Sequence, residues 1–451
     1  MSKKNVREAA LDALLKIEKN QAYSNLLVND AIKKNELNGK DVALFTEIVY
    51  GTVQRKKTLD YFLSPFLPKK IKKKDEWIIP LLRMSIYQMV YLDRVPDRAI
   101  IFEAVQLAKK RGHRGLANMA NGILRNIQRS GLPDFEKIDN DIERLAVKYS
   151  HPIWLVEEWV NQYGLETTKS ICEANLKTPP MTARVNGSKS TVQEVIDMLE
   201  KEGVIAKPGK LSSDAIEIEK GNFIKTKVFE EGYATIQDES SMLVARALAP
   251  QENDRVLDCC AAPGGKTTHI SELLNGTGEV IAFDLHRHKV KLIQEQAERL
   301  KLKNIHAQAL DAREAEEHFP KESFDRILVD APCSGFGVIR RKPDIKWSKS
   351  EKDVQEITKI QLDILDSIAP LLKKGGTLIY STCTIEKREN EQVIRAFLNK
   401  HHDFEANETL KNNLPNKIRS YLKEGQASIQ IFPHYYESDG FFIASLRKKP
   451  S

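Results

Sequence analysis

Arg255-Val256-Leu257-Asp258-Cys259-Cys260-Ala261-Ala262-Pro263-Gly264-Gly265-Lys266-Thr267 reads as an apolar strand ending in an acid, a turn of small residues and the start of a helix. From about residue 235 this unit repeats as regular strand–helix alternation. Strands are expected at Arg255–Asp258, Val280–Asp284, Ile305–Leu310, Arg326–Asp330 and Thr377–Ser381, with helices between them that include residues 288–301 and 351–372. Such alternation predicts a parallel, doubly wound sheet. Late strands at Ile429–Phe432 and Phe441–Leu446 are expected to form an antiparallel edge.

Small residues in the 261–265 turn let backbone amides approach a ligand, and the helix start favours an anion. Gly265-Lys266-Thr267 resembles part of a phosphate loop, but that motif needs glycine where this chain has Cys260. The dinucleotide pattern G-x-G-x-x-G is absent as well. Asp284 ends the next strand, where an acid accepts from ribose hydroxyls. Asp311, expected at the end of the third strand, can accept from an adenine amine. Carboxylate, ribose and adenine sites together describe S-adenosylmethionine. A single such aspartate is usually a helix cap; three at successive strand ends favour a ligand site.

Two further apolar runs end in thiols: Ile327-Leu328-Val329-Asp330-Ala331-Pro332-Cys333 and Leu378-Ile379-Tyr380-Ser381-Thr382-Cys383. Ligands of open α/β sheets bind beyond the carboxyl ends of the strands. Two thiols there can face one substrate, which suggests covalent chemistry on a ring that is hard to alkylate. A buried cysteine is more often a small apolar residue, and that reading is kept for Cys172 and the side chain of Cys259.

The 451 residues suggest about three domains. No run of about 18 apolar residues is present, so no membrane span is expected. Met1-Ser2-Lys3-Lys4-Asn5 leads into an amphipathic pattern with no apolar signal core. Five cysteines without zinc spacing fit a reducing cytoplasm and no metal. The ten histidines show no paired spacing with a carboxylate, and none is assigned a catalytic role. Residues 1–130 hold 25 Lys and Arg against 13 Asp and Glu, whereas the whole chain is only +7. This concentration in Lys69–Lys74, Lys109–Arg114, Arg125 and Arg129 suggests a polyanionic partner. A solvated basic surface is the alternative.

Residues 6–130 read as almost entirely helical, and Gly131-Leu132-Pro133-Asp134 looks like a boundary. Helices continue through 141–180. A small α+β module follows, with a strand at Thr182–Asn186, a helix at 190–201 and short strands around Ile216 and Val228. The expected division is 1–135 helical, 136–232 helical connector and α+β module, and 233–451 catalytic.

DCCAAPGGKT at 258–267, FDLH at 283–286, DAR at 311–313, DAPCSG at 330–335, STCT at 381–384 and DGFFIA at 439–444 carry a resemblance, as does TIQDESSMLVA at 235–245. The chain resembles the RsmB-type (Sun/Fmu) ribosomal RNA cytosine carbon-5 methyltransferases of the Nol/Nop/Sun family. Residues 1–130 are similar to the NusB-like RNA-binding domain of that subfamily. The resemblance implies an all-α NusB-like domain, an α+β module that binds RNA, and a Rossmann-like S-adenosylmethionine-dependent catalytic domain. It implies action on 16S ribosomal RNA at the family's cytosine 967; a monomer is expected. It makes Cys383 the nucleophile and Cys333 the cysteine that helps release product. Asp330 and Lys266 are placed near the target base. Cys260, Ala261, Ala262, Pro263, Gly264, Gly265, Lys266, Asp284, Asp311 and Asp330 are placed around the cofactor, with Cys260 contributing backbone.

The chemistry fits these groups. Thiolate attack on carbon 6 of cytosine turns carbon 5 into an enamine carbon able to take a sulfonium methyl group. Lys266 can lower a thiol pKa or orient the base. The base must leave its stack, so single-stranded or looped RNA is expected. Trp347 can stack on RNA or merely pack, while Arg340, Arg341 and Lys342 are expected to meet phosphate. Three alternatives stay open: a transfer RNA methyltransferase, an RNA-binding factor on a dead methyltransferase fold, and a base-amine methyltransferase. The last would prefer an (Asp/Asn)-Pro-Pro-aromatic loop in place of Asp330-Ala331-Pro332-Cys333.

Overall fold

The computed structural model describes residues 5–20, 24–422 and 427–450. The Met1–Lys4 start, read as lacking a signal core, lies outside the described residues. The chain forms two compact units. One comprises residues 1–177 with 339–348, the other 178–338 with 349–451. The division at 135 and 232 is a proposal from sequence; by packing, the helices after 135 join the first unit.

The first unit is helical: α1 (Val6–Asn20), α2 (Ser24–Lys34), α3 (Gly39–Gln54), α4 (Lys56–Leu63), α5 (Ile78–Tyr91), α6 (Asp97–Arg111), α7 (Arg114–Ser130), α8 (Asp141–Lys148), α9 (Ile153–Tyr163) and α10 (Leu165–Ala174). The apolar positions spaced at helical period, Ala9, Leu11, Leu14, Ile78, Leu81, Leu82 and Ile86 among them, converge on one core with Phe45, Ile48 and Leu124. Thr58 Oγ1 on α4 donates to Val147 O at 2.6 Å and Lys57 N donates to Ser150 Oγ at 3.0 Å, which ties α8 to this bundle. The segment Ile339–Ser348 belongs here although it is flanked in sequence by the other unit.

The second unit holds two sheets. The smaller is antiparallel, in the order β2 (Ile205–Pro208), β3 (Ala215–Lys220), β1 (Met181–Val185), β4 (Ala234–Ile236). The helix Val192–Lys201 covers it, begun by a capping box between Thr191 and Glu194. Val228, read as strand, sits instead in a single helical turn, Lys227–Glu230; its apolar side chain packs in the module core beside Phe223. The isolated β-branched residue carried no register information, and the strand forms later, at β4.

The larger sheet comprises β5 (Arg255–Asp258), β6 (Glu279–Asp284), β7 (Ile305–Ala309), β8 (Phe324–Asp330), β9 (Leu372–Thr382), β10 (Phe404–Ala406), β11 (Ser428–Ile431) and β12 (Phe441–Lys448). Its order is β10-β12-β9-β8-β5-β6-β7, with β11 on β12. Strands β5 to β9 pair in parallel; β12 runs antiparallel to β9. Parallel strands with both faces covered read as continuous apolar runs. Leu257, Ile327, Val329 and Tyr380 pack on one face, and Val256, Leu328 and Ile379 on the other. Phe441–Lys448 is thus an inner strand, since the short β10 caps it, and β10 left no signal in the sequence beyond Phe404.

Candidate active site

Strand order reverses at β5, which lies between β6 and β8. Such a switch point opens a crevice at the carboxyl ends of the strands. The 260–265 turn leaves β5 there. Ala261 N donates to Phe283 O at 3.0 Å and Gly264 N to Ala261 O at 2.8 Å, so the turn closes back on β6. Gly264 sits at φ +104, and a Cβ there would approach Ile293 Cα to 3.1 Å. Only glycine adopts that conformation without strain. The helix Gly265–Leu273 starts immediately, with no side-chain cap on its first amides. Asp258 is buried and accepts from Thr267 Oγ1 at 2.7 Å; burial pushes its carboxyl up to about 7.

Lys266, on that helix, reaches across to β8. Its Nζ donates to Asp330 Oδ2 at 2.7 Å, and Ser381 Oγ on β9 donates to Asp330 Oδ1 at 2.8 Å. Burial alone would lower the lysine pKa, but the Asp330 carboxylate outweighs it and the shift is upward. The same ammonium lies 5.0 Å from the centre of the Phe441 ring.

Asp330 pairs in register with Ser381. Cys333 and Cys383 lie three and two residues beyond that pair, and their Sγ atoms are 3.4 Å apart. The contact with Cys383, followed by burial, raises the Cys333 pKa well above the usual thiol range. Cys260 is raised too, by Cys259 and then by burial. Gly337 N donates to Cys383 O and Gly440 N to Gly337 O, both at 2.9 Å. A Cβ on Gly337 would lie 1.9 Å from Gly440 O, and one on Gly440 would lie 2.8 Å from Gly337 Cα. The glycine of the DGFFIA segment is therefore required where β12 meets both thiol loops.

The structure brings together Lys266, Asp330, Cys333 and Cys383, with Cys260–Gly265 beside them and Asp284 at the end of β6. Asp284 is nearly buried and accepts from His286 N at 3.3 Å. Asp311 departs from its expected place. Strand β7 stops at Ala309, and Asp311 opens the next turn, accepting from Arg313 N at 3.0 Å and pairing with the Arg313 guanidinium, which lowers its pKa. The arginine two residues on competes for this carboxylate.

Arg340, Arg341 and Lys342 do not form a common phosphate face. Arg340 is buried and Arg341 half-buried, leaving Lys342 exposed. Trp347 packs: its Nε1 donates to Val53 O at 2.7 Å within the helical unit.

Sequence reading missed two groups. Arg184 on β1 is wholly buried; it pairs with Glu272 at 2.7 Å, contacts Gln237 and donates to Gly265 O at 2.8 Å. The small sheet thereby grips the first turn of the cofactor-loop helix. Glu389, also buried, accepts from Ser334 N at 2.7 Å. Its carboxyl is pushed up to about 7, chiefly by burial. An arginine inside an otherwise apolar strand was the available signal for the first; nothing local marked the second.

The uncapped helix start beside the glycine turn fits the carboxylate of S-adenosylmethionine, and Asp284 fits its ribose. Among the described residues no group of three or more His, Cys, Asp or Glu side chains is arranged to hold a metal, and no helix is long and apolar enough to cross a membrane.

Three family models match in succession. Residues 4–129 match the NusB family, 151–225 the ferredoxin-like domain of RsmF/B-like methyltransferases, and 245–447 the 16S rRNA methyltransferase RsmB/F. The probable ribosomal RNA small subunit methyltransferase B of Bacillus subtilis is 54% identical over 449 residues, covering 100% of both chains. The ribosomal RNA small subunit methyltransferase B of Proteus mirabilis is 36% identical over 99% of each. The crystal structure of PH0851 superposes with a TM-score of 0.80 at 28% identity, covering 98% of each chain. The chain belongs to the RsmB/F family of 16S ribosomal RNA methyltransferases, with a NusB domain and a ferredoxin-like domain ahead of an S-adenosylmethionine-dependent catalytic domain.

Proposed function

We propose that this protein methylates carbon 5 of one cytosine in 16S ribosomal RNA, the family's cytosine 967, through a covalent bond between Cys383 and the base. The observation that carries this reading is the pair of thiols 3.4 Å apart on adjacent strand ends, beside the Lys266–Asp330 pair. A methyltransferase acting on a base amine has no need of two thiols.

S-adenosylmethionine, when bound, supplies an electrophilic methyl group. Cys260–Gly265, Asp284, Asp311 and Asp330 would hold it, the first set by close approach of the backbone. The Cys383 thiolate adds to carbon 6, forming a carbon–sulfur bond while the ring electrons move toward carbon 5 and nitrogen 3. Asp330, sharing a proton with nitrogen 3, stabilises the charge there, and Lys266 orients the base. After methylation Cys333, directly or through water, takes the proton from carbon 5. The electron pair of that bond restores the ring double bond and expels the Cys383 thiolate. The exposed lysines Lys69, Lys70, Lys72, Lys73 and Lys74 support phosphate contacts by the NusB domain. We infer a monomeric, cytoplasmic enzyme.

Two variants test this. Cys383→Ala should lose both activity and any covalent RNA complex. Cys333→Ala should form the bond, fail to resolve it, and accumulate an adduct on denaturing gels that requires S-adenosylmethionine. An adduct in the Cys383 variant alone would exchange the two roles. Full activity in both would reject covalent catalysis. Bisulfite sequencing of RNA from a deletion strain identifies the cytosine.

A further inference from the structure

The two thiols do not meet through strand register alone. Glu389 and Asn390 follow one another in the turn after the Cys383 loop, and both are wholly buried. Glu389 Oε2 accepts from Ser334 N at 2.7 Å and from Gln361 Nε2 at 3.3 Å. Gln361 Nε2 also donates to Pro332 O at 2.8 Å. The peptide groups on either side of Cys333 are thus held by one carboxylate–amide pair.

Asn390 does the same for the other thiol. Its Oδ1 accepts from Thr382 Oγ1 at 2.6 Å, and its Nδ2 donates to Thr384 O at 3.2 Å. These are the two neighbours of Cys383. Gln430 Oε1 accepts from the same Nδ2 at 2.9 Å and fixes the amide orientation. The two loops are joined once more by Ser334 Oγ and Thr384 Oγ1, 2.8 Å apart. Tyr380 Oη, on β9, donates to Glu389 O at 2.6 Å and anchors the turn to the sheet.

Burying a carboxylate is costly unless its partners require it. The other Glu389 oxygen has no hydrogen-bond partner among the described residues. The residue is buried at an expense that a purely structural turn would avoid, since an apolar side chain fills such a site more cheaply.

We infer that Glu389 and Asn390 are positioning residues, Glu389 with Gln361 for Cys333 and Asn390 for Cys383, and that the two neighbours serve different halves of the reaction. This rests on the covalent reading above. A thiol displaced by about 1 Å loses on the order of 100-fold in rate, and each variant displaces only one of them.

The experiment uses the full-length enzyme, S-adenosylmethionine and ribosomal RNA from a strain lacking the protein. Formation and decay of the covalent complex are followed on denaturing gels in single turnover, with thermal midpoints measured alongside. Glu389→Ala should form the adduct at the wild-type rate and release it about 100-fold more slowly. Glu389→Gln keeps an acceptor for Ser334 N and should restore release. Asn390→Ala should slow formation by a similar factor and leave release unchanged. If Glu389→Ala does not fold, Gln361→Ala carries the test, because it removes the hold on Pro332 O and should also retard release. Equal loss of formation and release in the Glu389 and Asn390 variants would overturn the division of roles, as would wild-type release in Gln361→Ala. Absence of an adduct even in Cys333→Ala would instead remove the covalent reading beneath it.

Discussion

Lys266 in the catalytic unit and Lys346 in the helical unit are both withdrawn from water, and they titrate in opposite directions. Lys266 keeps 13% side-chain exposure and meets a carboxylate at 2.7 Å. Lys346 has none, and its Nζ donates to the Gln54 carbonyl at 2.8 Å. Val53 O and Gln54 O are among the last carbonyls of α3, which have no partner within the helix. The helix end offers an ammonium about 0.3–1 kcal/mol, whereas removing a charge from water costs several. Burial therefore wins at Lys346 and pushes its pKa down to about 7. At Lys266 the Asp330 charge wins. A counter-charge keeps a cation ready for chemistry; a carbonyl and an indole, as at Trp347, make an anchor.

The largest expected effect tests the chemical side of this contrast. Lys266→Met should lower single-turnover methyl transfer by about 10²–10⁴-fold, the range for a group acting on a reacting base. Lys346→Met should leave that step unchanged. Equal losses would mean that both lysines only support the fold.

A smaller effect separates the cofactor contacts from the pair. Asp284→Ala should weaken S-adenosylmethionine binding by about 1–3 kcal/mol by calorimetry, as loss of charge-assisted hydrogen bonds does. Lys346→Met should bind it as the wild type does. Tight ATP binding without S-adenosylmethionine binding would reverse the argument made from Cys260.

The smallest effect is in stability against pH. The Lys346 pKa falls from 10.5 in the unfolded chain to about 7 when folded. The unfolded state then binds more protons between these values, so this group's contribution rises with pH from about 7 to 10.5 and is lost below 7. Glu389 has the opposite sign: raised from 4.5 to about 7, it costs stability progressively as pH rises through that window. Urea midpoints of Lys346→Met against wild type should differ most near pH 6, with the variant the more stable, and converge toward pH 10. Parallel curves would show that the ammonium is not buried in solution.

Much of the fold was legible because parallel strands covered on both faces must be apolar runs, and these end where the ligand-facing residues begin. Arg255–Asp258, Val280–Asp284 and Arg326–Asp330 were placed within two residues of their strands. The signal failed where local pattern carries no long-range information. Val228 is apolar in a turn as it would be in a strand, and the three-residue β10 is too short to show alternation.

The same division holds at the site. Chemistry-bearing residue types are local facts, so Lys266, Asp330, Cys333, Cys383 and the glycine turn could be named from their motifs. Pairing across the sheet is not local. Only the tertiary structure decided that Asp330 lies opposite Ser381, that Arg313 engages Asp311, that Arg184 reaches Gly265 from another sheet, and that Arg340 is buried while Trp347 bonds α3. It likewise decided that Glu389 reaches the Cys333 loop, 55 residues away, while Asn390 folds back on the Cys383 loop just before it. A buried polar group declares its role only through its partners, and those partners are set by how the chain folds back on itself.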